Sequence, residues 1–408
     1  MEPRTGTSRS DADARRNARI YLVGLAASLV GNSAMSLVAG IWVKSLTGSS
    51  SAAAIVSVCV YAPSLLGPLG GVLADRVRRR PMLVILNLAS GVAILPLLLV
   101  HSAGQVWLID AVMLGYGLSL VLDGPAETAL FAVMLPPHLR RQINGMRLAL
   151  QEIGRLVAPL LGAGLFALLG GGTVAALDAA TFVIAALALT RLRITEPPPA
   201  PTHRHWRAEL TAGFAHIRAA PEMRAVVIAG AVAMAVSGVS SPAVYGLIDA
   251  LHRSPSFLGP LTSLLGAGSI IASLTSGRLI RRIGERWLAV LGLVDGVLGS
   301  ALRVVGTVPT ALASSLVLGF ALPWTFVAVI NLTQRDTPTA LQGRVSAAVT
   351  LALFAPQPLA QGVGAAVIAH TGYRTLYLAT AAVDIAAAGW LACRGRTFWL
   401  RWKTFRGS

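Results

Sequence analysis

Long apolar runs, separated by short polar stretches, make up most of this chain. A helix needs roughly 20 apolar residues to cross the hydrocarbon core of a bilayer, and twelve runs of about that length are present. The predicted spans have the approximate bounds Ile20–Leu46, Ser51–Leu73, Pro81–Val100, Val106–Ala129, Ile143–Leu169, Thr173–Leu192, Met223–Leu247, Phe257–Ile280, Trp287–Val305, Ala311–Asn331, Val345–Ala369 and Tyr373–Cys393. The pattern therefore predicts an all-α integral membrane protein with twelve transmembrane helices.

A proline-rich, charged stretch divides the twelve runs into two sets of six, because Glu196 is followed by a run of prolines and then by basic residues. Within this stretch, Trp206–Ala219 is predicted to form an amphipathic helix on the membrane surface. The predicted organisation is a cytoplasmic tail at 1–19, an N-terminal half at 20–192, a cytoplasmic linker at 193–222, a C-terminal half at 223–393 and a cytoplasmic tail at 394–408.

Composition and charge agree with a membrane protein. Of the 408 residues, 55% are hydrophobic and 12% are charged, about half the charged fraction of a soluble protein. The net charge is +17, and the basic residues collect in the tails, the linker and every second loop. This alternation places both termini in the cytoplasm and the protein in the cell membrane. It also argues against nucleic-acid binding, because the basic residues lie in short gaps between apolar runs.

The loop between the second and third predicted spans combines two glycines on one helix face, an acid and several arginines. We predict a cytoplasmic gate loop containing Gly67, Gly71, Asp75, Arg76, Arg79 and Arg80. The loop resembles the signature of the major facilitator superfamily, although Arg78 stands where that family has a glycine. The resemblance implies two six-helix halves. It also implies that Asp75 latches the halves together on the cytoplasmic side, near Arg344.

An internal repeat supports the division into halves. The stretch Gly71–Arg80 recurs loosely as Gly277–Arg286, at an offset of 206 residues, which is about half of the chain. Two six-helix halves are what facilitator-type transporters are built from. The second copy carries Arg281 in place of Asp75, so only the first half has the acid.

The fifth predicted span carries a second motif, formed by Gly154, Pro159 and Gly162. It resembles the antiporter signature of the same superfamily, with Ala158 and Ala163 in place of two glycines. Small residues and a proline suit close packing between the halves, and the resemblance implies export. Plain small-residue packing without directional meaning is the alternative.

The chain also resembles the drug-exporter branch that contains macrolide and enterobactin exporters. The residues that carry this resemblance are Gly31–Ser33, Asp123–Glu127, Leu135–Pro136, Asn144–Arg147 and Leu177–Phe182. The likeness covers the whole chain and is best in the first half. The branch usually has arginine where this chain has Glu127.

Charged and polar groups inside the spans are candidates for substrate or proton binding, because they are costly in a bilayer. The candidates are Asn32, Asp123, Glu127, Glu152, Arg155 and Trp324. Glu152 and Arg155 share a helix face and are predicted to pair; a self-neutralising packing pair is the alternative. Asp123 and Glu127 have an alternative as partners for Arg147 or the loop arginines Arg76–Arg80, and Trp324 has one as packing.

Three further acids, Asp178, Asp295 and Asp384, are predicted to form helix-to-helix hydrogen bonds. No nucleotide loop, acid-rich diphosphate motif, metal spacing or disulfide framework is found in the sequence. We therefore expect a non-enzymatic transporter without cofactor or metal.

The predicted function is proton-coupled export of a small, largely apolar compound by a monomer in the lipid bilayer. An importer or uniporter of the same fold, or a non-transporting membrane sensor, are the alternatives.

Overall fold

The computed structural model describes residues 5–67, 73, 76–196 and 206–406. These residues form helices and short connections, with no strand in the described ranges. The predicted gate residues Gly71 and Asp75 lie outside the described residues, and so does 197–205 of the predicted linker.

The first part of the chain forms six helices. Their bounds are α1 Thr5–Thr47, α2 Ser50–Tyr61, α3 Arg79–Ile94 and α4 Val106–Met134, followed by a long segment Pro137–Thr190. Gly170 interrupts the long segment with φ 78° and ψ 172°, a conformation open to glycine but not to residues with a Cβ. We therefore count two helices, α5 (137–169) and α6 (171–190). Turns of 3₁₀ helix continue α2 over Ala62–Leu66 and α3 over Leu95–Leu99.

The second part begins with α7 Trp206–Ala219, α8 Pro221–Ser240 and α9 Ala243–Ala250. The segment Leu258–Val305 is interrupted at Gly284, with φ 79° and ψ 165°, so it supplies α10 (258–283) and α11 (285–305). The remaining helices are α12 Val308–Asp336, α13 Gln342–Phe354, α14 Pro356–Ile368 and α15 Tyr373–Arg406.

Twelve membrane-spanning helices follow from these bounds. Within the described residues, nine helical segments are long and apolar enough to cross a membrane, and the shorter apolar segment Ser50–Leu66 is a tenth. The two segments interrupted at Gly170 and Gly284 supply two spans each. The predicted all-α, twelve-helix membrane fold is therefore confirmed.

The chain forms two compact units: residues 1–48 with 59–204, and residues 49–58 with 205–408. The first unit has a core of buried side chains from α1, α3, α4, α5 and α6, including Tyr21, Leu25, Leu83 and Leu130. In the second unit, the core includes Met223, Val226, Leu288, Val329 and Leu353, from α8, α11, α12 and α13. Residues 49–58 group with this second unit, where Ser51 Oγ donates to Ala365 O at 2.6 Å.

Helix α1 begins well before the predicted span. Ala14 and Ala18 are buried at 6% and 1% exposure, on the same face as Tyr21, so this part of the helix packs on the core. Asn17 makes two hydrogen bonds to the backbone of Arg193, just after α6. Its Nδ2 donates to Arg193 O at 2.8 Å, and its Oδ1 accepts from Arg193 N at 3.0 Å. Packing against protein therefore extends the helix into residues that are polar in sequence.

Helix α7 has the bounds that the sequence predicts, but it packs on the protein. A Cβ at Gly213 would lie 2.9 Å from Ala348 Cβ in α13, and Ile217 is buried. The face of this amphipathic helix that carries Gly213 therefore packs on α13, whereas Phe214 stays exposed.

Candidate functional site

The first unit contains a cavity of about 200 Å³ between α1, α3, α4, α5 and α6. Most of the wall is aliphatic. The polar side chains on it are Tyr21, Ser28, Asn32, Asn87, Asp123, Glu127 and Gln151. The structure therefore brings together three of the predicted candidates, Asn32, Asp123 and Glu127, in what we call the acidic cavity.

The two acids of this cavity lie one turn apart on α4, so they share a face of the helix. Glu127 is within electrostatic range of Asp123 and of Arg147 on α5. The guanidinium of Arg147 lies over the ring of Phe131, with Cζ 5.9 Å from the ring centroid. The arginine that one alternative assigns to Glu127 is therefore beside the cavity.

Two polar atoms on the acidic cavity have no partner among the described residues. Asn32 Oδ1 and Asp123 Oδ1 are buried and accept no hydrogen bond there, whereas the hydroxyl of Tyr21 interacts with Arg147. Buried polar atoms are normally paired, so unpaired ones that line a cavity are available to a ligand or a proton. This arrangement is able to hold a proton or a hydrogen-bond donor.

Glu152 and Arg155 contact each other as their spacing predicts. Arg155 Nη1 lies 3.3 Å from Glu152 Oε1, and the two side chains are 66% and 34% exposed, respectively. Neither residue is among those that line the acidic cavity. The pair is thus separate from Asp123 and Glu127, and a role in transport stays a prediction.

The antiporter-like motif packs within the first unit. A Cβ at Gly162 would lie 2.9 Å from the Cα and Cβ of Ala34 in α1, which is too close for a larger residue. Gly154 has only ordinary contact distances to Leu29, whereas Pro159 lies inside the helix. The contact that requires glycine is therefore made with α1, whereas the sequence analysis placed the motif's packing between the halves.

The described part of the gate loop is tied to the end of α6. The carboxylate of Glu196 accepts from the backbone N–H groups of Arg79 at 2.7 Å and Arg80 at 2.8 Å. The Arg80 side chain donates from Nε to Leu189 O at 2.9 Å and from Nη2 to Thr190 O. The acid thus caps the free N–H groups that begin α3, while the arginine caps the free carbonyls that end α6.

The other described loop residues make fewer contacts. Arg76 is exposed, and a Cβ at Gly67 would meet no atom within 4 Å. Gly67 therefore makes no close helix contact among the described residues.

The repeat seen in the sequence has a counterpart in the second unit. Arg286 corresponds to Arg80 by the offset of 206 residues, and its Nη2 donates to the carbonyls of Leu391 and Ala392 in α15. In each unit, therefore, the last arginine of the repeated stretch binds carbonyls of the unit's last spanning helix. These carbonyls lie near the end of the helix that is predicted to be cytoplasmic.

Trp324 packs on its neighbours in the second unit. Its ring centroid lies 5.0 Å from that of Phe320, and Nε1 donates to Thr275 Oγ1 at 3.4 Å. Trp324 lines neither the acidic cavity nor the cavity inside the second unit that is lined by Ser300 and Arg303, so this geometry favours the packing alternative.

The three other acids do not form the predicted helix-to-helix hydrogen bonds. Asp178 Oδ1 accepts from Thr181 Oγ1 at 3.2 Å, one turn along the same helix. Among the described residues, Asp178, Asp295 and Asp384 each keep one buried carboxylate oxygen without a partner. Glycine packing is the physical reason, because Gly31 and Gly296 leave room for the carboxylates of Asp178 and Asp384 without offering a side-chain donor.

A second cavity, of about 250 Å³, lies inside the second unit between α8, α9, α10, α11, α12 and α15. Its polar lining consists of Ser237, Ser240, Ser241, Thr262, Ser269, Ser300, Arg303 and Asp384. We call it the hydroxyl cavity. Arg303 was not among the predicted candidates, because it falls near the end of an apolar run. The signal that could have indicated it is a lone arginine with no acid one turn away.

Comparison with known proteins agrees with this fold. The Major Facilitator Superfamily profile matches residues 20–241 and 226–397. The enterobactin exporter EntS of Citrobacter koseri is 26% identical over 324 residues, which cover 77% of this chain and 75% of the exporter. EntS of Escherichia coli O1:K1 / APEC is 25% identical over 321 residues, with the same coverage of both chains.

Solved structures resemble the chain over almost its full length. A variant of the nucleoside transporter NupG superposes with a TM-score of 0.76 at 14% identity, covering 92% of this chain and 99% of NupG. A bacterial homologue of the lysosomal transporter Spinster gives a TM-score of 0.71 at 15% identity, covering 95% and 98%. These likenesses concern the fold. The profile match, which covers more than half of the chain, establishes that the chain belongs to the Major Facilitator Superfamily and is a multi-pass membrane transporter rather than an enzyme.

Proposed function

We propose that this transporter exports a small, largely apolar compound by proton antiport, with Asp123 and Glu127 as the proton-carrying groups. The observation that carries the proposal is the acidic cavity, where two acids share a helix face beside buried unpaired polar atoms. Ionisable groups within spanning helices are costly and are retained where they bind or move ions.

Arg147 gives the acidic cavity two charge arrangements. When Glu127 is ionised, Arg147 is its counter-charge; when Glu127 holds a proton, Arg147 is released to other partners. Such a group is able to couple proton binding to a change of form, because a ligand shifts an equilibrium only by binding the two forms differently.

Two further observations support the outward direction. The matched relatives named above are called exporters, and Gly154, Pro159 and Gly162 resemble the antiporter signature. The compound itself is proposed only as a class, from the aliphatic character of the cavity walls.

The test begins with growth inhibition in an efflux-deficient host that carries either this protein or an empty vector. An exporter raises the inhibitory concentration of its substrate, whereas an importer lowers it. The compound found in this way is then followed in everted membrane vesicles with an acidified lumen, where the proposal predicts accumulation.

Glu127→Gln is the decisive variant, because it preserves shape and removes the titratable group. Accumulation is expected to fall to the level of empty vesicles at an unchanged amount of protein. Asp13→Asn is the matched control, since Asp13 is exposed. Accumulation by Glu127→Gln equal to that of the parent protein contradicts the proton role.

We further propose that the protein lies in the cell membrane with both termini in the cytoplasm, on the basis of the alternating basic loops, and that it acts as a monomer. After Cys59 and Cys393 are replaced, Gly104→Cys and Ser254→Cys, both at exposed positions, are expected to react with an impermeant reagent on intact cells. Thr202→Cys is expected to remain unlabelled, and its labelling overturns this orientation.

A further inference from the structure

We infer that the hydroxyl cavity of the second unit binds the anionic group of an organic acid, with Arg303 as its counter-charge. The class is a monoanion, a carboxylate or phenolate, on an apolar body that also carries a hydroxyl. The binding site stands on geometry alone; that the bound acid is the transported compound rests on the proposed function.

Arg303 is a buried cation whose contacts are all neutral. The residue is only 7% exposed. Nη1 donates to Tyr377 Oη at 2.8 Å, Nε to Ser314 Oγ at 3.3 Å and Nη2 to Ser315 Oγ at 3.4 Å. No Asp or Glu lies within ion-pair distance of it among the described residues.

Arg303 therefore has no direct ion-pair partner among the described residues, although Asp384 lines the same cavity. A buried charge without a close partner is unfavourable. A guanidinium has five N–H donors in a planar fork, so contacts to three hydroxyls leave further donors for a ligand. Planar carboxylates are the ligands that match this fork best.

The walls of the cavity supply the remaining recognition. The hydroxyls of Ser237, Ser241 and Ser300 make no hydrogen bond among the described residues, so they are able to donate to an anion. The rest of the lining is mainly aliphatic, including Leu261, Leu265 and Leu293, and it suits a ring or short chain.

Asp384 restricts the ligand further. It lines the same cavity at 4% exposure, and its Oδ1 has no partner among the described residues. A carboxylate there accepts from a ligand hydroxyl and repels a second negative charge. The cavity of about 250 Å³ is smaller than the 300–1,000 Å³ typical of pockets for drug-sized ligands, so it fits one aromatic ring with its substituents.

The first test uses a probe pair that differs in charge. Purified full-length protein, without any ion gradient, is heated with increasing salicylate or with salicylamide, its neutral counterpart. Salicylate is expected to raise the melting temperature in a saturable way, because binding stabilises the folded form, whereas salicylamide is not. Equal shifts with both probes, or a shift with neither, overturn the proposal.

Matched serine variants locate the site. Ser300→Ala removes one unengaged hydroxyl next to Arg303 and is expected to raise the dissociation constant of salicylate roughly tenfold. Ser276→Ala is the control, since Ser276 is equally buried but donates within its own helix to Ala272 O at 2.6 Å. An identical constant in Ser300→Ala and Ser276→Ala overturns the location.

Arg303→Lys separates charge from geometry, and Arg303→Gln removes the charge. Salicylate binding is expected to weaken in the first variant and to disappear in the second. Because Arg303→Gln also disturbs three hydrogen bonds, the probe pair and Ser300→Ala decide the matter if it does not fold.

A lipid phosphate is the other source of an anion for a buried arginine. The binding of salicylate is therefore repeated in nanodiscs of phosphatidylcholine, with and without phosphatidylglycerol. Unchanged salicylate binding supports an organic acid as the ligand. Competition by phosphatidylglycerol, together with loss of the effect of Ser300→Ala, assigns the cavity to lipid and overturns the proposal.

Discussion

Arg80 in the first unit and Arg286 in the second, 206 residues apart, both donate to backbone carbonyls in the last spanning helix of their own unit. The charged linings of the two cavities differ. One is lined by Asp123 and Glu127, the other by serines, Arg303 and Asp384. At the offset of 206 residues, Glu127 is matched by Thr333 and Arg303 by Leu97, whereas Asp384 is matched by Asp178. The repeat therefore preserves a contact that holds the last helix of each unit, whereas Glu127 and Arg303 each belong to one unit only.

The two repeated arginines give the largest expected effects on stability. Arg80→Ala and Arg286→Ala each remove charge-assisted hydrogen bonds to carbonyls and are expected to cost about 3 kcal/mol. Thermal unfolding in detergent should show similar losses of melting temperature for both. Lysine at either position is expected to restore little, because it lacks the planar fork.

Arg78→Ala is the control for this pair, since Arg78 is exposed and makes no side-chain hydrogen bond among the described residues. A large loss of melting temperature on substitution of one repeated arginine, and none on substitution of the other, would contradict the structural equivalence of the units.

The glycine of the antiporter-like motif gives the next effect. Gly162→Val places atoms against Ala34 and is expected to cost about 2 kcal/mol, as overpacking usually does. Gly164→Val, two residues on, meets no atom within 4 Å at its Cβ and is expected to melt like the parent protein. Equal melting temperatures for both variants would show that the α1–α5 contact tolerates bulk.

The smallest expected effect belongs to the cap that only the first unit has. Glu196→Gln keeps the shape but weakens two hydrogen bonds to the N–H groups of Arg79 and Arg80, at about 1 kcal/mol. At the position equivalent to Arg79, the second unit carries Glu285, which pairs with Arg335 at 2.8 Å. Glu285→Gln is the matched comparison. A loss of stability in Glu285→Gln greater than that in Glu196→Gln would contradict the expectation that the cap contributes more than the ion pair.

The helices and the repeat were readable from the sequence because they depend on local and periodic properties. Apolar run length predicts the spans, and the offset of 206 residues predicts the equivalence of Arg80 and Arg286. The bounds of α7 agree with its prediction because its amphipathic pattern ends just before Pro221, the first residue of α8.

The contacts that shape the sites were harder to predict from the sequence, since they join residues that are distant in the chain. Glu196 reaches Arg79 across 117 residues, and no local pattern indicates such a partner. Arg303 was overlooked because its hydroxyl partners Ser314, Ser315 and Tyr377 lie on other helices. In the acidic cavity, by contrast, Asp123 and Glu127 were readable, because their spacing alone puts them on one face.

The assignment of proton coupling to the acidic cavity and of substrate binding to the hydroxyl cavity is tested most directly in proteoliposomes, by measuring two activities of the same protein. Gradient-driven efflux and gradient-free exchange of the identified substrate are compared for the parent, Glu127→Gln and Ser300→Ala. We expect Glu127→Gln to lose efflux but keep exchange, and Ser300→Ala to need roughly tenfold more substrate for half-maximal rates of both. Loss of exchange in Glu127→Gln, or unaltered substrate dependence in Ser300→Ala, would contradict the assignment of proton coupling to the first unit and substrate binding to the second.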